Sequence, residues 1–255
     1  MAETPETEKA GDTARNAREM TLVGHLGELR NRIIVAVLAI VVGTLIAYYF
    51  VDELMRFVTA PAGKLYFMSP AEGFFAYLKL AVFGGVMLAL PVILWQLWAF
   101  VAPALTQTET KWAIIMVPGS VVLFFTGLVF AYFVVWPAAV KFFLGFGSET
   151  LQPMLSLGQY LSFLISFILP FGLIFNLPLV LLILAKLGII SSAFLAKKRR
   201  IMILVAFIAG GIITPTPDIF SQTMMAIPIF VLYEASIWAV RLLLRKKTER
   251  SVMRT

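Results

Sequence analysis

The 255-residue sequence has no cysteine and a single histidine, His25. A disulfide frame, a thiolate metal site and a cysteine nucleophile are therefore excluded, and so is a multi-histidine metal centre within one chain. Charge is also scarce. Only 14% of residues are Asp, Glu, Lys or Arg, against 60% hydrophobic, whereas soluble domains run at about 25% and about 45–50%. Catalytic signatures are missing too: the chain contains no G-x-S-x-G, H-E-x-x-H or G-x-x-x-x-G-K-[ST] and no aspartate pair within its apolar runs. No cofactor and no nucleic-acid partner is expected. With a mean hydropathy of +0.92, the composition is that of an integral membrane protein embedded in the lipid bilayer.

The apolar residues fall into long runs. A helix needs about 20 of them to cross a bilayer, and Ile33–Val51, Phe74–Trp98, Trp112–Trp136 and Gln159–Leu184 qualify. Two shorter runs follow, Ile201–Ile213 and Ile219–Val240, the second interrupted by Glu234 and the two separated by the turn "TPTPD". At 1.5 Å per residue the first covers only about 20 Å. It predicts a short hairpin in thinned lipid or leaning on its neighbours. Pro91, Pro118, Pro170, Pro178 and Pro228 lie inside these runs and should bend their helices. Gly84-Gly85 and Gly210-Gly211 read as close-packing sites. The expected fold is an all-α integral membrane protein, six transmembrane helices in a kinked, concave bundle with the last two short. Residues 1–20 read as a disordered cytoplasmic tail, 21–241 as the membrane domain and 242–255 as a basic cytoplasmic tail. The run after Arg32 is too long for a cleavable signal. The loops 52–73 and 137–158 are apolar enough to pack on the bundle or lie at the interface.

Six spans put both termini on one side, which then holds 17 of the 21 lysines and arginines. The positive-inside rule makes that side cytoplasmic. On it, Glu28 in "HLGELRNR" (25–32) and Glu109 in "TQTETK" are nearly the only acids between the expected disordered tail and the C-terminal helix. Glu28 has a plain reading, an i,i+4 pair with Arg32, and Glu109 a plain reading as a solvated loop acid. Taken together they form an acidic spot on a basic face, suited to guanidinium groups that carboxylates hold in a fork. Glu72 and Lys79 lie seven apart on one helix face, as a snorkelling pair or with Glu72 capping the helix start. The intramembrane amides Gln96 and Asn176 either hydrogen-bond between helices or line a groove. Asp218, after Pro217, caps the last helix by default.

Five stretches together resemble one family: "HLGELRNR" (25–32), "SPAEGFFAYLKLAVFGG" (69–85), "PVILWQLWAFVAPALTQTE" (91–109), "YLSFLISFILPFGLIFNLPLV" (160–180) and "ITPTPDIFSQTMMAIPIFVLYE" (213–234). The family is TatC, the multispanning receptor subunit of the twin-arginine protein translocase. The resemblance implies a signal-peptide site at Glu28 and Glu109, with Arg30 in the same motif and Phe100 lining it. It implies that Pro61 and the loop around Glu72 are linked to transport, with Gln96, Asn176 and Asp218 along the groove. It further implies single-span TatA-type and TatB-type subunits docked on the last hairpin near Thr214 and Gln222, assembly with further copies of the chain, and a proton-motive drive. An inner bacterial membrane or a thylakoid would suit. One position departs from the family: a glutamate is usual where this chain has Asn176, and an amide cannot titrate. The competing reading is a secondary transporter of a small solute, against which stand the lack of an internal repeat and the placement of charges at the edges. An intramembrane enzyme is the third reading, and the missing catalytic groups weigh against it.

Overall fold

The structure is a computed structural model. It describes the backbone of residues 5–101, 107–146, 154–214 and 218–252, and the side chains of 24–100, 116–146, 154–214 and 218–242. Among these residues the secondary structure is helical apart from one isolated bridge, Tyr66 with Ser156. The helices are α1 (Pro5–Tyr49), α2 (Val51–Thr59), α3 (Pro70–Val101), α4 (Gln107–Phe130), α5 (Trp136–Leu144), α6 (Leu157–Ile174), α7 (Leu177–Lys186), α8 (Ser192–Lys197), α9 (Arg199–Ile213) and α10 (Ile219–Val252). Five described segments are long and apolar enough to cross a membrane: Gly24–Tyr49, Pro70–Phe100, Met116–Leu144, Leu157–Lys186 and Ile219–Leu242. The sixth apolar helix, α9, has 15 residues and rises about 22 Å, short of a hydrocarbon core of about 30 Å. Of the hairpin expected to be short in both helices, only α9 is short: the membrane part of α10, Ile219–Leu242, is long enough to cross, because the run continues past Glu234.

Residues 5–20, read from the sequence as a disordered tail, continue α1, which begins at Pro5, and α10 runs on through the basic tail to Val252. The tail sequences are rich in Glu, Lys, Arg and Ala, residues that continue a helix at little cost.

Prolines shape the bundle as their chemistry requires. Pro91, Pro118, Pro170 and Pro228 sit within helices. Pro178 instead breaks one: the fourth apolar run ends as α6 at Ile174 and restarts as α7 with Asn176 at its N-cap and Pro178 in the first turn. A proline lacks the N–H that would close the preceding turn, so a restart in front of it loses nothing. Between α4 and α5 a five-residue π-helical segment, Ala131–Val135, precedes Pro137. There the wider turn accommodates the missing donor.

The core centres on α6. Trp136, Leu161, Leu164, Phe167 and Phe171 are almost fully buried, with Phe124 against Gly172 and Leu80 reaching in from α3. Polar atoms inside it are paired. The Trp136 indole donates to Tyr160 Oη (3.2 Å), which donates to Val58 O (2.9 Å) and so fastens α2. The amphipathic α2 buries Val51, Met55 and Val58, as expected for a loop that packs on the bundle. Trp98 Nε1 donates to Ser120 Oγ at 3.0 Å and joins α3 to α4.

The tandem glycines are close-packing sites. A Cβ on Gly85 would lie 2.4 Å from Thr44 N, and one on Gly43 2.5 Å from Gly85 O, so the backbones of α1 and α3 touch there. A Cβ on Gly210 would lie 2.8 Å from Gln222 O at the α9/α10 crossing. Among its described side chains α1 is otherwise largely bare: it packs almost wholly on α3 and only 11% of its apolar window is buried.

Candidate functional site

The equal arms of α1 and α3 build the site. The two helices run antiparallel. Gly43 lies eleven residues after Arg32, and Gly85 eleven residues before Gln96. At 1.5 Å per residue both arms are about 16 Å, so the glycine crossing brings Arg32 and Gln96 level. Arg32 Nη1 donates to Gln96 Oε1 at 3.2 Å. On the same helix Arg32 Nε donates to Glu28 Oε1 at 3.1 Å, and Nη2 donates to the same oxygen. Among the described residues no donor reaches Glu28 Oε2. Glu28 is about one-third exposed. One turn away, the His25 ring stacks on Phe100 with centroids 4.3 Å apart and planes 20° apart.

The arrangement is a carboxylate about one-third exposed on a helix face, oriented by an arginine that a second helix holds, beside a flat aromatic pair. It can accept further N–H donors at Glu28 and stack a planar cation. The i,i+4 pair read from the sequence is present, but Arg32 is tied to α3 as well. The sequence reading missed the bridge through Gln96 and the stack of His25. The signal was there: 25, 28 and 32 share one helix face. Arg30, on the other side of the turn, is exposed. Glu109 lies in the first turn of α4, with its side chain outside the described residues.

The remaining candidates lie apart from this cluster. Glu72 is in the first turn of α3, at the far end from Gln96. It completes a box with Ser69, whose Oγ accepts from Glu72 N at 3.2 Å, while Glu72 Oε2 accepts from Met68 N at 2.6 Å. Its Oε1 accepts from Gly158 N at 2.7 Å and from Ser156 Oγ. Glu72 therefore caps α3, as the sequence allowed, and ties it to the start of α6. The ion pair with Lys79 is absent. Two helical turns separate the residues and each finds a nearer partner on α6: Lys79 Nζ donates to Ser162 Oγ at 2.6 Å. Pro61 is exposed in a 3-10 turn, Ala60–Ala62, that ends at Gly63 with φ +73°.

Asn176 sits at the α6/α7 break. Its Nδ2 donates to Gly172 O at 2.9 Å, and its buried Oδ1 has no partner among the described residues. Asp218 Oδ1 accepts from Ser221 N at 2.7 Å and caps α10, as expected. Thr214 is buried and donates to Gly210 O at 2.8 Å. Gln222 Nε2 donates to Phe207 O at 2.7 Å. Thr214 Oγ1 and Gln222 Nε2 thus both donate to backbone carbonyls of α9 within the hairpin. Glu234, which the sequence left unpartnered, forms a two-bond fork with Arg199: Nε to Oε1 is 2.7 Å and Nη2 to Oε2 is 2.8 Å.

A bundle of six apolar helices, five of full membrane length, with charged networks at the helix ends and none of the enzyme signatures sought, defines a polytopic α-helical membrane protein. Residues 24–228 match the family described as Sec-independent protein translocase protein (TatC). The chain is 46% identical over 234 residues to the Sec-independent protein translocase protein TatC of Carboxydothermus hydrogenoformans, covering 90% of this chain and 96% of that one. It is 36% identical over 236 residues to the Escherichia coli protein of the same name, covering 90% and 91%. A crystal structure of the twin-arginine translocase receptor TatC superposes with a TM-score of 0.75 at 40% identity, covering 86% of this chain and 98% of that chain. The chain belongs to the TatC family. It is a membrane component of a protein translocase, and its relatives are named for transport rather than for an enzymatic reaction.

Proposed function

We propose that the chain is the receptor of the translocase, binding twin-arginine signal peptides of cargo proteins on the face that carries Glu28. The observation that carries this reading is the Glu28–Arg32–Gln96 network. A guanidinium already sits on Glu28, held there by a neighbouring helix, so the carboxylate is oriented and the chemistry it accepts is displayed by the chain's own arginine. A peptide arginine would take the open Oε2 or replace Arg32, with Phe100 and His25 offering a stacking plane. Glu109, at the start of α4, would hold the second arginine. Lysine, a point donor, would match this less well. Both termini face the cytoplasm in this reading, by the lysine and arginine count. TatA-type and TatB-type subunits dock on the α9/α10 hairpin, further copies of the chain join the complex, and the proton-motive force drives transport. Asn176 cannot take part by changing protonation. Thr214 and Gln222 act there as internal fasteners, and the apolar outer side of α9 would supply the contact.

The test is a titration of a fluorescent twin-arginine peptide against the wild type, Glu28→Ala, Glu109→Ala and the double variant, with a twin-lysine peptide as control. Each alanine should remove most of the preference for arginine. Unchanged binding in the double variant would refute the assignment.

A further inference from the structure

At the end of α3 away from Gln96, two cavities between α3 and α6 meet at Lys79 and Phe75, which line both. The upper one, about 640 Å³, has a mixed lining that includes Glu72, Gln159, Ser162 and Ser166. The lower one, about 440 Å³, is apolar except for Lys79 and runs down to Val86 and Leu169. Phe75, Leu78 and Val82 are 41–60% exposed along it, so it opens sideways into the bilayer. From Lys79 to Val86 is seven residues, about 10 Å of rise, within one leaflet of a hydrocarbon core of about 30 Å.

We propose that this is a binding site for one amine-bearing phospholipid, of the phosphatidylethanolamine type, in the leaflet opposite the Glu28 end. The phosphate sits on Lys79 Nζ, the ammonium faces Glu72, and an acyl chain lies in the slot between α3 and α6. Three observations fix that occupant. First, a cation stands directly above a hydrocarbon-lined slot; an apolar helix laid there would bury the ammonium against carbon, whereas a phosphate neutralises it. Second, the acid and the base are set a headgroup apart by α6. Lys79 is held on Ser162, Ser162 Oγ donates to Gly158 O (2.6 Å), and Gly158 N donates to Glu72. One helical turn, about 6 Å, therefore separates the anchors of the two charges. Third, Glu72 Oε2 takes one described donor, Met68 N, which leaves a lone pair for an ammonium N–H. An anionic headgroup without the amine would meet that carboxylate unfavourably.

Native mass spectrometry of the purified full chain, titrated separately with phosphatidylethanolamine, phosphatidylcholine, phosphatidylglycerol and chain-free glycerophosphoethanolamine, tests this. Phosphatidylethanolamine should bind at one site about tenfold more tightly to the wild type than to Lys79→Gln, the loss of one charge-assisted contact. Lys79→Arg should retain most of the affinity. Phosphatidylcholine, whose quaternary amine has no N–H, should bind more weakly, and Glu72→Gln should erase that difference. Val82→Trp, which fills the slot and leaves both charges, should also weaken binding. Equal binding by Lys79→Gln and wild type overturns the site. So does glycerophosphoethanolamine binding as well as the whole lipid, which would mark a free-phosphate site with no chain in the slot. An apolar transmembrane peptide that displaces the lipid equally from wild type and Lys79→Gln overturns it as well.

Discussion

Replacing Gly85 by alanine adds one methyl group at the point where α1 and α3 touch. The new Cβ would stand 2.4 Å from Thr44 N and 2.5 Å from Thr44 Cα. Thr44 Oγ1, nearer still, can rotate away, but these two are backbone atoms, so the helices must part. Overpacking of this kind costs about 1–3 kcal/mol, and the backbone contact argues for the upper end. Alanine recovers about 1 kcal/mol of helix propensity, leaving a net loss of about 2 kcal/mol. At about 2–4 °C per kcal/mol for a chain of this size, the melting temperature in detergent should fall by about 4–8 °C. Gly73 provides the control. It lies in the same helix, but a Cβ there meets nothing within 4 Å. Gly73→Ala should raise stability by up to about 1 kcal/mol. Tryptophan-monitored thermal melts of the two variants give opposite signs if backbone contact sets the crossing. A Gly85→Ala protein as stable as wild type would refute the reasoning. Because the crossing levels Arg32 with Gln96, Gly85→Ala should also weaken peptide binding, although it lies about 16 Å from the site.

Other expectations follow from individual contacts. Gln96→Leu removes the acceptor of Arg32 Nη1 and keeps the size; it should cost about 1 kcal/mol or less in stability but lower arginine-peptide affinity measurably, as read by the same fluorescent titration. The fork between Arg199 and Glu234 is partly exposed, at 46% and 26%, so a double-mutant cycle with alanine at both positions should give a coupling of about 0.2–1 kcal/mol, diminishing in high salt. Glu72→Gln keeps one oxygen acceptor but sets an NH2 against the donors that the other oxygen now serves, either Met68 N or Ser156 and Gly158, and should speed tryptic cleavage at Lys64, with wild-type resistance counting against the tie. Asn176→Glu would put a carboxylate at a half-buried position where Oδ1 now finds no donor, and should lower the melting temperature; an unchanged value would mean that a donor reaches it.

Much of the fold is legible in the sequence because membrane physics is simple: length and apolarity alone locate the spans, including the short α9 and the role of Gly85. The sequence reading went astray where a decision depends on a distant residue. Pro178 looked like one more kink, yet α6 ends at Ile174 and the chain restarts as α7 with Pro178 in the first turn, where no N–H is needed; Asn176 stands at the N-cap position but its amide donates back to Gly172 O instead of capping. Lys79 looked like the partner of Glu72 by helical spacing, yet Ser162, 83 residues away, is nearer in space. At the site, Glu28 and its i,i+4 partner are written in "HLGELRNR", while Gln96 is a contact across helices that no local pattern records.

The bare flank of α1 has a consequence in time. Its chief neighbour, α3, is made later: Gly85 follows Gly43 by 42 residues. At about 5–20 residues per second of synthesis, α1 waits in the lipid for roughly 2–8 s before the surface it needs exists. It can wait safely, since its apolar window of hydropathy 2.2 is content among acyl chains and its few polar groups are the hydroxyls of Thr44, Tyr48 and Tyr49. Arg32 and Glu28 satisfy each other in the meantime, one turn apart on the same helix. The pair that presents the site in the finished protein is thus also what keeps the first helix quiet while the rest of the chain is being born.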